Sequence, residues 1–171
     1  MKIWEIILKS LIIIILCFVV FYIDSLEFLD SIETKIAILI IAFSKSVYFV
    51  VQNYFKIKES IEKNVPYHRY LLFMAINIGL LIISFGVDFY SLYKVCPESF
   101  ALSEMPDSSV YQLFEFLYYS TLNMTNFGFG TTIPVTTTAK AITSLEIILS
   151  FIAIIFVLSD FVSLRDSIRK P

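Results

Sequence analysis

Residues 125 to 131 read Thr-Asn-Phe-Gly-Phe-Gly-Thr, and two of the chain's four glycines, Gly128 and Gly130, stand one residue apart within this run. Glycine takes positive φ without steric cost, and an extended backbone needs such residues if successive carbonyls are to point one way instead of alternating. A row of aligned carbonyl oxygens can replace the hydration shell of a cation, so the chemistry this segment offers is ion coordination. Thr125 and Asn126 add a hydroxyl and an amide oxygen at its leading end. A lone Gly-x-Gly is more often a flexible turn, so the surrounding elements decide the reading.

Nothing else in the chain competes for a chemical role. His68 is the single histidine and has no ligand cluster around it, and Cys17 and Cys96 fall in different settings, as two free thiols. There is no catalytic dyad, phosphate loop or nucleotide motif, so the expectation is no enzyme, no cofactor beyond a permeant ion and no nucleic-acid partner.

The elements that position residues 125 to 131 follow from composition. With 58% hydrophobic and 16% charged residues, the chain is too apolar for an ordinary soluble domain. Crossing a bilayer takes roughly 20 apolar residues in a helix. Four windows qualify: Trp4 to Ile23, Ile36 to Phe55, Tyr70 to Val87 and Ala141 to Leu158. The first is read as a span and not a signal peptide, because no small-residue cleavage site precedes the acidic run Asp24, Glu27, Asp30, Glu33.

Basic residues mark the cytoplasmic side. Nine of thirteen lie at the N-terminus (Lys2, Lys9), in the 56 to 69 loop (Lys56, Lys58, Lys63, Arg69) and in the tail (Arg165, Arg169, Lys170). Both termini are therefore expected in the cytoplasm of a bacterial-type plasma membrane protein, with residues 24 to 35 and 88 to 140 outside. Within that outer connection, after Pro97 and Pro106, the residues Asp107, Ser108 and Ser109 offer helix caps, and Tyr111 to Asn123 reads as an aromatic-rich helix. At about 1.5 Å per residue it reaches only about 20 Å, too short to cross, so a re-entrant helix is expected.

In this order the segment Tyr118, Tyr119, Ser120, Asn123, Thr125, Asn126, Phe127, Gly128, Phe129, Gly130, Thr131, Pro134 resembles, without gaps, the pore module of the potassium channel family. Val135, Thr136 and Lys140 continue the match, which covers Tyr70 to Leu164. The resemblance implies an all-α membrane protein: four transmembrane helices plus a re-entrant pore helix and an extended selectivity filter. It further implies a lipid-embedded homotetramer in which the carbonyls of Asn126, Phe127, Gly128 and Phe129 hold K+. Thr125 and Gly130 complete that filter, with Tyr118, Tyr119, Thr131 and Glu146 supporting it. Residues 1–66 are then two peripheral helices with a cytoplasmic loop, and residues 67–171 are the pore domain.

Against the family pattern, Asn126 replaces a threonine, Phe127 a valine, Phe129 a tyrosine and Thr131 an aspartate, while the usual inner-helix hinge glycine aligns with Ser150. A weakly selective cation channel is one alternative; a non-conducting membrane adaptor or immunity-type protein is another. Lys45 falls mid-span, where a bare charge costs at least about 2.5 kcal/mol. Two readings stay open for it: a pair with Glu146, or a neutral or water-contacting lysine at a subunit boundary. Glu5 and Lys9 are spaced to satisfy each other, and Asp160 sits near the inner end of the last span, where it is expected to face water.

Overall fold

The computed structural model describes residues 31–62, 67–102, 108–128 and 130–168. The expected first span, Trp4 to Ile23, and the Glu5–Lys9 pair lie outside those residues, as do Cys17, Asp107, Phe129 and the side chains of His68 and Asp160.

The described residues are helical apart from one short strand pair and the connections between elements. Helix α1 is Ser31–Glu62, α2 is Tyr67–Val95, α3 is Ser109–Met124 and α4 is Thr137–Ile168. Three of these carry stretches long and apolar enough to cross a membrane: Ile32–Lys56, Arg69–Val95 and Thr137–Leu158. The fourth, α3, has 16 residues, with Ser108 at its N-cap. Helix α4 starts on Thr136, whose Oγ1 accepts the Ala139 N–H at 3.4 Å while its carbonyl accepts the Lys140 N–H at 2.9 Å.

Between α2 and α3 a 3₁₀ turn, Pro97–Ser99, leads into β1 (Phe100–Ala101), which pairs antiparallel with β2 (Ile133–Pro134). Phe100 faces Pro134, Ala101 faces Ile133, and Val135 N–H donates to the Ser99 carbonyl at 2.9 Å. The strand pair closes the segment carrying α3 into a loop whose two ends are held together beside α2 and α4.

Helix α3 is seated by aromatic packing and one small residue. Phe89 of α2, Phe100 of β1, and Phe116 and Tyr119 of α3 form a cluster of edge-to-face rings, with centroids 5.0 Å apart for Phe89–Tyr119 and 5.1 Å for Phe100–Phe116. Gly86 lets the two helices approach. A Cβ there would come within 2.7 Å of Leu117 Cδ2 and 3.1 Å of Leu117 Cα.

Charged and amide groups at membrane depth are turned inward, as a medium without water requires. Lys45, Asp88 and Glu146 are all under 5% exposed. Asn77 of α2 donates to Asn53 of α1 at 3.2 Å, and Asn53 donates to its own helix at the Phe49 carbonyl, 2.8 Å away. The outward faces of α1 and α4 are instead apolar, with Ile36, Ile40, Phe43, Ile148, Phe151 and Ile155 exposed.

One sequence boundary needs correction. The third apolar window ends at Val87 and puts Asp88 in an outward loop; in the structure α2 runs on to Val95, and Asp88 is fully buried within it. Apolar residues continue past the carboxylate (Phe89, Tyr90, Leu92, Tyr93, Val95), and Asp88 is neutralised by its partner on α1.

Candidate ion-coordinating segment

The segment after α3 begins as a helix cap. Asn126 has φ 58°, Asn126 N–H donates to the Asn123 carbonyl at 3.1 Å, and Phe127 N–H donates to the Leu122 carbonyl at 3.0 Å. This paired hydrogen-bond pattern about a left-handed residue is the Schellman motif, in which asparagine is the usual substitute for glycine. Thr125 N–H and Oγ1 both donate to the Thr121 carbonyl, at 3.0 and 2.8 Å, and Ser150 Oγ donates to the Met124 carbonyl at 2.5 Å. The last four carbonyls of α3 are thus all occupied.

Beyond the cap the backbone stays unusual. Gly128 is left-handed as well, at φ 61°, so Asn126 and Gly128 alternate with Phe127 in handedness. In a strand of uniformly negative φ successive carbonyls face opposite ways; reversing the handedness of alternate residues turns the peptide planes toward a common side. No hydrogen bond from a described residue reaches the carbonyls of Asn126, Phe127 or Gly128. Thr125, Asn126, Phe127 and Gly128 are exposed on the single chain, Phe127 at 68%. Gly130 is partly buried, and a Cβ on it would lie 3.0 Å from Leu122 Cδ1.

Two networks hold the cap and α3 against α4. Glu146, fully buried on α4, accepts from Ser120 Oγ and, at 3.0 Å, from Asn123 Nδ2; Ser120 shares its proton with the Ile82 carbonyl of α2, 2.9 Å away. Tyr119 OH lies 3.1 Å from Thr143 Oγ1, whose own proton goes to the Ala139 carbonyl, so the phenol is the donor. Asn126 Nδ2 donates to Ser150 Oγ at 2.8 Å.

Lys45 is not paired with Glu146, which corrects the first of the two sequence readings. Its ammonium donates to Asp88 and, at 2.9 Å, to Ser84, and lies 4.2 Å from the Phe85 ring centroid. Ser84 and Asp88 are one helical turn apart and present two acceptors on one face of α2. The hydrogen-bond partners of Glu146, Ser120 and Asn123, belong to α3.

Of the residues singled out in the sequence, Tyr119 and Glu146 are thus brought together with α3, α4 and the cap. Tyr118 is half exposed and Thr131 exposed on the single chain, while Thr132 beside it is buried. Asp88, Gly86 and the role of Ser150 as a hydrogen-bond partner were missed. Their signals were a Ser-x-x-x-Asp pair opposite a mid-span lysine and a glycine facing an aromatic helix. No protein-family model matches the chain, and comparison with curated proteins and with solved structures likewise gives no match.

Proposed function

We propose that this chain is one subunit of a homotetrameric potassium channel, with residues 125 to 131 as its selectivity filter. The observation that carries the reading is the alternation of left-handed residues Asn126 and Gly128, with carbonyls that no described residue occupies, directly after a short helix whose own last carbonyls are all taken. Irregular backbone at membrane depth is stable only where protein covers it or where it lines a water-filled cavity. On a single chain this segment and Phe127 are exposed, which a ring of subunits around a water-filled axis resolves. One segment supplies one wall, so coordination by a ring of oxygens calls for cyclic symmetry, with four copies on the K+ pattern.

In this reading α3 is the re-entrant pore helix, α2 and α4 are the outer and inner helices, and α1 with a further N-terminal span lies at the periphery. Both termini are cytoplasmic. Asn126 in place of a threonine favours a second reading within the same class, a weakly selective cation channel, because a bulkier amide takes the place of a hydroxyl at the coordinating segment.

Purified protein in liposomes tests both. Efflux driven by a potassium gradient, with reversal potentials favouring K+ over Na+, and a tetramer by native mass spectrometry are the expected results. Equal passage of the two ions moves the reading to the weakly selective channel; absence of any cation flux, or a monomer in lipid, rejects the pore.

A further inference from the structure

We propose that Ser150 is a positioning residue for cation coordination: it fixes the Asn126 amide so that Oδ1, and not the NH₂, faces the permeant ion. The inference rests on the channel reading and adds to it one ligand atom and what aims that atom.

The orientation follows from counting protons. A serine hydroxyl has one proton and two lone pairs, and a backbone carbonyl can only accept. Ser150 Oγ lies 2.5 Å from the Met124 carbonyl, so its proton is committed there. Toward Asn126 it offers only a lone pair, and of the two branches of the amide only Nδ2, 2.8 Å away, can satisfy it. A flipped amide would set two acceptors against each other. Ser150 is 1% exposed and Met124 6%, so no solvent competes for the bond between them.

With the NH₂ held against α4, Oδ1 is left on the opposite branch. Asn126 is exposed on the single chain, and no hydrogen bond from a described residue reaches its Oδ1. Asn126 is the left-handed residue directly after the α3 cap, so its amide oxygen belongs to the α3 end of the carbonyl row. In a tetramer each subunit adds one neutral amide oxygen there, the chemistry that suits a dehydrated monovalent cation of potassium size. Asparagine thereby serves the cap through its backbone and the ion through its side chain.

The test uses full-length protein in proteoliposomes and reads the K+/Na+ permeability ratio from reversal potentials, with native mass spectrometry reporting the tetramer. Ser150→Ala frees the amide to rotate and lowers the ratio about fivefold, the change expected for loss of one hydrogen bond of ordinary net strength, with the tetramer retained. Ser150→Thr keeps the hydroxyl and restores the ratio. In an Asn126→Gly background, which keeps the left-handed cap without the amide, Ser150→Ala has no further effect on the ratio.

An unchanged ratio in a conducting Ser150→Ala protein overturns the inference and leaves the channel reading intact. So does an equal drop in the Asn126→Gly background, which would mark Ser150 as merely structural. If Ser150→Ala does not assemble, Asn126→Gly alone decides, and an unaltered ratio in it rejects the role of the amide. A wild-type protein that passes no cation removes the channel reading and this inference together.

Discussion

Lys45 of α1 and Asp88 of α2 form a buried ion pair, each side chain no more than 3% exposed, which joins the first described helix to the helix that seats α3. Removing one member of such a pair strands a charge where water cannot reach, at a cost of about 3 to 5 kcal/mol. Asp88→Ala should therefore lower the unfolding midpoint in detergent steeply. Replacing both residues with leucine should recover most of the loss, since well-packed apolar residues often match a buried pair. A double variant no better than Asp88→Ala would indicate that the pair has a role beyond mutual neutralisation.

Glu146 allows a finer discrimination. In Glu146→Gln, the amide oxygen can accept from Asn123 and the NH₂ can donate to Ser120, whose proton then goes fully to the Ile82 carbonyl. Every partner stays satisfied, and stability should change by less than about 1 kcal/mol. Glu146→Leu leaves the buried Asn123 amide without its acceptor and should cost about 1 to 3 kcal/mol. Hydrogen exchange of the α3 amides measures the difference, and equal exchange in the two variants contradicts it.

Gly86→Ala tests how closely α3 must approach α2. The new methyl meets Leu117 within 2.7 Å at its Cδ2 and within 3.1 Å at its Cα, so rotating the leucine relieves only the first contact. Overpacking of this kind costs about 1 to 3 kcal/mol. Thermal unfolding should register that loss, and adding Leu117→Ala should return only part of it, because the backbone contact remains.

Gly128→Ala separates backbone conformation from packing, since within the single chain nothing beyond the two neighbouring residues lies within 4 Å of the added Cβ. The variant should pay only for left-handed φ, about 1 to 2 kcal/mol, and should insert and assemble like the wild type. Cation flux should nevertheless be lost, as the segment relaxes toward negative φ and its carbonyls turn apart. Full flux in a correctly assembled variant would detach residues 125 to 131 from conduction.

The three apolar helices and the short α3 could be read from composition, window length and the Ser108 cap, because each depends on local pattern. The observed α3, Ser109–Met124, lies within two residues of the expected 111 to 123 at each end. What escaped depended on contacts across the chain. A charge normally closes an apolar window, which makes Asp88 look like the start of a loop; its ion pair with Lys45, 43 residues away, makes its burial tolerable. Asn126 was read as a departure from a pattern, whereas the hydrogen bonds of the cap give asparagine a local reason to be there. Ser150 looked like a missing hinge because its partners, Met124 and Asn126, are brought beside it only by the packing of α3 on α4.

The pairing of Phe100–Ala101 with Ile133–Pro134 has a mechanical consequence. It rivets the start of α4 to the end of α2, making that junction a fulcrum. Helix α4, with 32 residues, is a lever about 48 Å long at 1.5 Å per residue. Swinging it about 10° about the rivet carries its far end roughly 8 Å, whereas residues within one turn of the rivet travel only about 1 Å. Ser150 and Glu146 sit part-way along the arm. Excursions at the far tip therefore reach Ser150, and through it Asn126, reduced to roughly two fifths, and the riveted strands hold still.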